Sequence, residues 1–307
     1  MPNFKSIRTH VVWIGVAFIA CGCVATPSVT LTPTMQDPLT AKTLPPEFTR
    51  TPSPTSTSFI TPTPGCEEEV GRLERTSYPG SIASGDISVI VYVPPCYDFS
   101  DDDYPVLYVL HGYPLDETHW IDLGVDGVAE SGISEGLWGP FLIVLPLIPD
   151  PLNTHSDGGP GSYEEEFMKG LVPFIEEGYR TGDTPQQRAL AGVSRGGVWA
   201  LEIGFRNPDY FGIVAALSPA LHVNQARPAY DPFQIVRIAD VLPEKIFLSA
   251  GSDEGGFLIK TEELVQLLQS EGIPHTYLRT TGAHVDSTWQ GVMQDLLLFV
   301  TESWQHP

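Results

Sequence analysis

The sequence predicts an α/β fold built on a mostly parallel sheet, and three observations carry that expectation. Strand-like and helix-like segments alternate from about residue 66 to the end, the order that places helices over the faces of a parallel sheet. The middle strand candidates are short continuous apolar runs, such as 106–110 (VLYVL) and 213–217 (IVAAL), as expected for strands covered on both sides. The pentapeptide Gly192-Val193-Ser194-Arg195-Gly196 stands between one such run and a helix-like segment, the setting of a sharp strand–turn–helix junction.

Taken in order, the expected strands are 86–93, 106–110, 141–145, 188–193, 213–217, 246–250 and 276–280, and the expected helices 163–179, 196–206, 258–271 and 287–303. In the last helix Trp289, Val292, Leu296, Leu297 and Val300 recur at helical spacing and form a core-facing stripe. No internal repeat is present.

The chain divides at residues 25 and 65. Residues 1–25 open with Lys5 and Arg8, continue with an apolar run from Val11 to Ala20, and end in small residues and cysteines. That layout is a secretory signal peptide. A membrane anchor is the alternative, but it would need a core of about 20 apolar residues. Phe18-Ile19-Ala20-Cys21 resembles a bacterial lipoprotein signal, with Cys23 after Gly22 a second candidate; lipidation would tether the chain without a span. Residues 26–65 are dominated by Thr, Pro and Ser. They lack the apolar pattern needed to offset ordering entropy and read as a proline-stiffened stalk or a plain disordered spacer. Residues 66–307 form the folded domain.

That domain holds 12 basic against 36 acidic residues, a net −24. Such a charge repels nucleic acid and anionic membrane; the only membrane contact expected is the possible N-terminal lipid. Cys66 and Cys96 are the remaining cysteines, and an even pair in an exported domain favours a disulfide over two free thiols. No Cys/His cluster has metal-ligand spacing, so no metal is expected.

Ser194 in its turn would be lifted from the sheet at the positive end of the following helix, with small residues two positions away on either side to avoid collision. A serine hydroxyl needs a base, and the base a carboxylate to orient it. Of the later histidines, His306 is in the tail, His275 opens a strand, and His222 lies in a loop where it could touch a substrate. His284 follows the last strand and precedes the last helix, where sheet strands deliver their C-terminal ends. The acid is expected after strand 246–250: Asp253 first, Glu254 in reserve, one of them otherwise a helix cap. Backbone donors for a developing oxyanion are expected from Arg195, next to the serine, and Tyr113, after Gly112. His111 precedes Ser194 and is assigned a structural role beneath that loop.

On these residues the chain resembles the esterase D-like family of α/β-hydrolases, related to feruloyl and acetyl-xylan esterases, enterochelin-type esterases and S-formylglutathione hydrolases. The resemblance covers about residues 80 to 304 and rests on 104–112 (YPVLYVLHG), 192–197 (GVSRGG), 251–253 (GSD) and 282–289 (GAHVDSTW), with 163–175 similar to the helix before the nucleophile strand. It implies the α/β-hydrolase fold, a Ser194–Asp253–His284 triad, oxyanion amides from Tyr113 and Arg195, and no cofactor. The loop 149–159 and the stretch 113–116 match no one subfamily. The expected activity is that of an exported serine esterase, acting on small-molecule or polysaccharide esters, with Trp120, Tyr163 and His222 as candidate pocket residues. An acyltransferase on the same triad, a non-catalytic carbohydrate-binding protein and a peptidase are the alternatives.

Overall fold

The computed structural model describes residues 65–154 and 156–304. The export segment, the stalk up to residue 64 and both lipidation candidates, Cys21 and Cys23, lie outside the described residues, as do His155 and His306.

Eight strands form one sheet: β1 (Arg72–Pro79), β2 (Asp86–Val93), β3 (Val106–Leu110), β4 (Leu142–Pro146), β5 (Arg188–Val193), β6 (Ile213–Leu217), β7 (Lys245–Gly251) and β8 (Thr276–Thr280). Their order across the sheet is β1-β2-β4-β3-β5-β6-β7-β8. The β1–β2 and β2–β4 pairs are antiparallel, and every pair from β4–β3 to β7–β8 is parallel. Between and after the strands run α1 (His119–Asp122), α2 (Val125–Ser134), α3 (Tyr163–Glu166), α4 (Val172–Gly178), α5 (Arg195–Arg206), α6 (Pro232–Ile238), α7 (Gly256–Ser270), α8 (Asp286–Gln290) and α9 (Met293–Thr301). A π-helical turn, Phe167–Leu171, joins α3 to α4, so these form the single helix expected from the sequence.

Residues of β3 to β6 are buried throughout, which is why they are continuous apolar runs. Alternate residues feed two cores. Val106, Tyr108 and Leu110 pack with Phe167, Trp199 and Phe211 on one face. Leu107 and Val109 pack with Trp120, Trp289 and Leu296 on the other. Each fully buried aliphatic side chain contributes about 1.5–3 kcal/mol.

Three features depart from the expected elements. β1 is an extra edge strand whose residues are mostly exposed or half-buried, so it carries no apolar run. The last helix is two, broken around Gly291 and Val292. The short helices α1, α2 and α6 also escape the apolar pattern. At the start of the domain Cys66 and Cys96 are joined, with Cα atoms 5.7 Å apart, tying the entering chain to the end of β2. Among the described residues no helix is long and apolar enough to cross a membrane.

Candidate active site

The parallel strands end on one edge of the sheet, and the order reverses at β3, with β4 on one side and β5 on the other. Loops after β3, β5, β6, β7 and β8 meet there, as ligand sites do in open α/β sheets. Ser194 connects β5 to α5 with φ 55° and ψ −115°, a strained conformation for a residue with a side chain. Its N–H donates to the Leu217 carbonyl at 2.9 Å, fixing the turn against β6. The two glycines are steric necessities. A Cβ on Gly192 would lie 2.1 Å from the Gly196 carbonyl oxygen, and one on Gly196 would lie 2.2 Å from that of Leu110.

His284, in the loop between β8 and α8, places Nε2 2.9 Å from Ser194 Oγ. Aromatic rings hold it in place: Phe257 stacks on the imidazole (centroids 3.5 Å apart, planes at 19°) and Trp289 meets it edge-on (4.9 Å, 88°). The carboxylate beside Nδ1 is that of Glu254, with Oε1 at 3.8 Å. Glu254 is fully buried at its side chain. Its Oε1 accepts from Ser218 Oγ at 2.7 Å, and that oxygen in turn accepts from Trp289 Nε1 at 3.0 Å. Ser218, the residue after β6, has φ 46°, a left-handed turn from which its hydroxyl reaches the glutamate. His284 Nδ1 and Glu254 Oε2 make no hydrogen bond, so the imidazole–carboxylate contact is electrostatic at this separation.

The expected acid, Asp253, is elsewhere. Its side chain is exposed and its Oδ1 accepts from Ser252 Oγ at 3.2 Å. Its backbone N–H bonds the Gly282 carbonyl at 2.9 Å, stitching the β7 loop to the β8 loop. The next residue, Glu254, is the one that turns inward.

Two backbone N–H groups border Ser194. That of Arg195 opens α5, where a helix has no carbonyl of its own to offer. That of Tyr113 follows Gly112, which sits so close that a Cβ on it would come 3.3 Å from Ser194 Cβ. His111 lies beneath this loop and is buried. Its Nε2 accepts the Ile148 N–H at 2.8 Å and its Nδ1 faces the Gly112 carbonyl at 3.0 Å, which assigns the proton to Nδ1. Burial holds its pKa below the usual histidine value, so the ring is a neutral brace between two loops.

Of the three candidate pocket residues, one borders the site. His222 is exposed, packs against Phe257 (4.2 Å), and has its pKa lowered by desolvation and then by His284. Trp120 is 1% exposed and donates Nε1 to the Leu110 carbonyl at 3.0 Å; it anchors the end of β3 from below. Tyr163 is 0% exposed, in edge contact with Phe167 and Trp199. Neither ring is accessible to a substrate, because each fills the core under the site rather than its surface. Phe257, Ser218 and Ser156 belong to the surroundings of the site without any motif to mark them. A cleft of about 640 Å³ lined by Arg72, Tyr97, Glu176 and Arg180 lies near the N-terminal ends of β3 and β5, away from Ser194.

Comparison with known proteins agrees with this architecture. The model of the esterase family, described as "Putative esterase", matches residues 81–300. An endo-1,4-beta-xylanase/feruloyl esterase of Xylanibacter ruminicola is 29% identical over 217 residues, 67% of this chain and 28% of that protein. Esterase Rv1288 of Mycobacterium tuberculosis is 27% identical over 245 residues, covering 64% of this chain and 52% of its own. The match thus spans about a quarter to a half of the length of these relatives. The solved structure of a ferulic acid esterase superposes with a TM-score of 0.68 at 24% identity, covering 76% of this chain and 98% of its own. The fold is therefore that of the α/β-hydrolases, and the chain belongs to the esterase family, a family of carboxylic ester hydrolases.

Proposed function

We propose that this protein is an exported serine esterase in which Ser194 is the nucleophile, His284 the general base and Glu254 the orienting acid. The observation that carries this reading is the 2.9 Å contact between Ser194 Oγ and His284 Nε2 at a strained strand–helix turn. Nε2 removes the Ser194 proton as Oγ bonds to the ester carbonyl carbon. The carbonyl oxygen becomes an oxyanion, received by the amides of Tyr113 and Arg195. Collapse of the tetrahedral species breaks the bond to the alcohol oxygen, which takes the proton from His284. Water then repeats the sequence on the acyl-enzyme, returning the acid product and free Ser194. During each half-reaction the imidazole is cationic, and the buried Glu254 carboxylate stabilises it. The 3.8 Å separation from Nδ1 closes to a hydrogen bond as the charge develops, in keeping with catalytic contacts that tighten on the substrate complex.

Esters carried by polysaccharides are the proposed substrate class, supported by the relative named for both xylanase and feruloyl esterase. Export is supported by the signal-like first 25 residues and by the Cys66–Cys96 bridge, which persists in oxidising compartments; Cys21 is the proposed lipid attachment point. The test is hydrolysis of 4-nitrophenyl acetate and methyl ferulate by the parent and by Ser194→Ala. The reading expects release of nitrophenol and ferulate by the parent and a loss of about a thousandfold or more in the variant. Equal rates in the two would refute it.

A further inference from the structure

The side chain of Arg195, the residue that follows Ser194 in the chain, has no part in the chemistry above. In a domain with 36 acidic residues, Arg72, Arg188, Arg206, Arg227 and Arg279 each reach a carboxylate, while Arg180 and Arg237 are held by backbone carbonyls. Among the described residues Arg195 reaches no carboxylate. Its Nη1 donates to the hydroxyl of Ser156 at 3.1 Å, and its Nε is buried without an acceptor. The titratable group that acts on it electrostatically is Tyr113, half-exposed and next to Gly112, which sits against Ser194. Desolvation lowers the pKa of Arg195, the electrostatic signature of a cation taken partly out of water with no counter-charge. Holding such a group there is unfavourable unless an anion completes it. Ser156, itself 3% exposed, fixes one end of the guanidinium and leaves the remaining donors of the planar fork for a ligand.

We infer that the Arg195 guanidinium, held by Ser156, is a subsite for a carboxylate carried by the ester substrate. This rests on the esterase reading of Ser194. Ser156 supplies the orientation and Arg195 the charge, so the preferred ester carries an acid group on its acyl part or on its alcohol part.

The full chain, Arg195→Gln, Arg195→Lys and Ser156→Ala are compared on two pairs of esters matched in size. One pair is mono-4-nitrophenyl succinate against 4-nitrophenyl butyrate, with the charge on the acyl side. The other is 4-acetoxybenzoate against its methyl ester, with the charge on the alcohol side. The parent is expected to favour the anionic member of one pair by about tenfold or more in kcat/KM, the scale of a hydrogen bond to a charged group, and to lose the preference in high salt. The pair that shows the preference tells on which side the carboxylate lies. Arg195→Gln should abolish that ratio, Arg195→Lys should keep part of it, and Ser156→Ala should raise KM for the anionic ester alone. A parent without preference in either pair, or an Arg195→Gln variant that slows all four esters equally, overturns the subsite and leaves the esterase reading standing. A folded parent inert to all four esters overturns the esterase reading, and the subsite falls with it.

Discussion

Replacing Glu254 by glutamine removes a buried negative charge while keeping the side-chain shape and an oxygen that can accept from Ser218. On the mechanism proposed above, what is lost is the attraction between the carboxylate and the imidazolium formed at His284. With Oε1 3.8 Å from Nδ1 and an effective dielectric of about 20, that attraction is about 4 kcal/mol. None of it is gained before the imidazole takes the serine proton, so the whole amount is felt in the transition state. Glu254→Gln should therefore lower kcat for 4-nitrophenyl acetate by about a thousandfold with little change in KM. Asp253→Asn alters an exposed carboxylate and should stay within about twofold of the parent. Both variants are checked for native circular dichroism before the rates are read. Collapse of the rate in Asp253→Asn with the rate preserved in Glu254→Gln would overturn the role of Glu254, since the acid would then be the residue that the structure turns outward.

Other consequences concern stability and the turn. Glu202 on α5 is fully buried, and desolvation followed by repulsion from Glu164 raises its pKa to about 9. The folded state thus keeps a proton that the unfolded chain releases above about pH 4.5, so stability falls as pH rises from there towards 9, by up to about 1.4 kcal/mol per unit. Glu202→Gln should remove that slope and add about 3 kcal/mol at neutral pH; urea titrations at pH 5.5 and 7.5 that shift in parallel for parent and variant would contradict it. Replacing both Cys66 and Cys96 by serine opens a loop of 30 residues, and unfolding free energy should drop by about 3–4 kcal/mol; an unmoved urea midpoint would mean that the bridge does not form. Gly196→Ala drives a Cβ to 2.2 Å from the Leu110 carbonyl oxygen. It should cost more than about 3 kcal/mol together with activity, and a melt close to that of the parent would show that the turn has slack.

The parts of the site visible in the sequence are those whose physics is local. Gly192 and Gly196 must be glycine because backbone passes within contact of them, so the junction is written in five consecutive residues. His284 is legible from chain order and from its place after the last strand. The choice between Asp253 and Glu254 is not local. It depends on the Asp253 N–H reaching the Gly282 carbonyl, a pairing across two loops that leaves no mark on either residue. Trp120 and Tyr163 stand near the motifs in sequence, but how deep an aromatic ring sits is decided by the packing of distant elements, here β3 and α5. Phe257 looks like any apolar residue at a helix start until α7 lays it on the imidazole. β1 was invisible for the opposite reason: an edge strand with both faces largely exposed has no apolar alternation to reveal it.

On the mechanism proposed above, Ser194 is the nucleophile and His284 makes it reactive. The most direct test is reaction of the purified protein with a fluorophosphonate, followed by peptide mass spectrometry, for the parent, Ser194→Ala and His284→Ala. A single adduct on Ser194 is expected, absent in Ser194→Ala and formed far more slowly in His284→Ala. An adduct on another residue, or labelling of Ser194 at the same rate without His284, would contradict it.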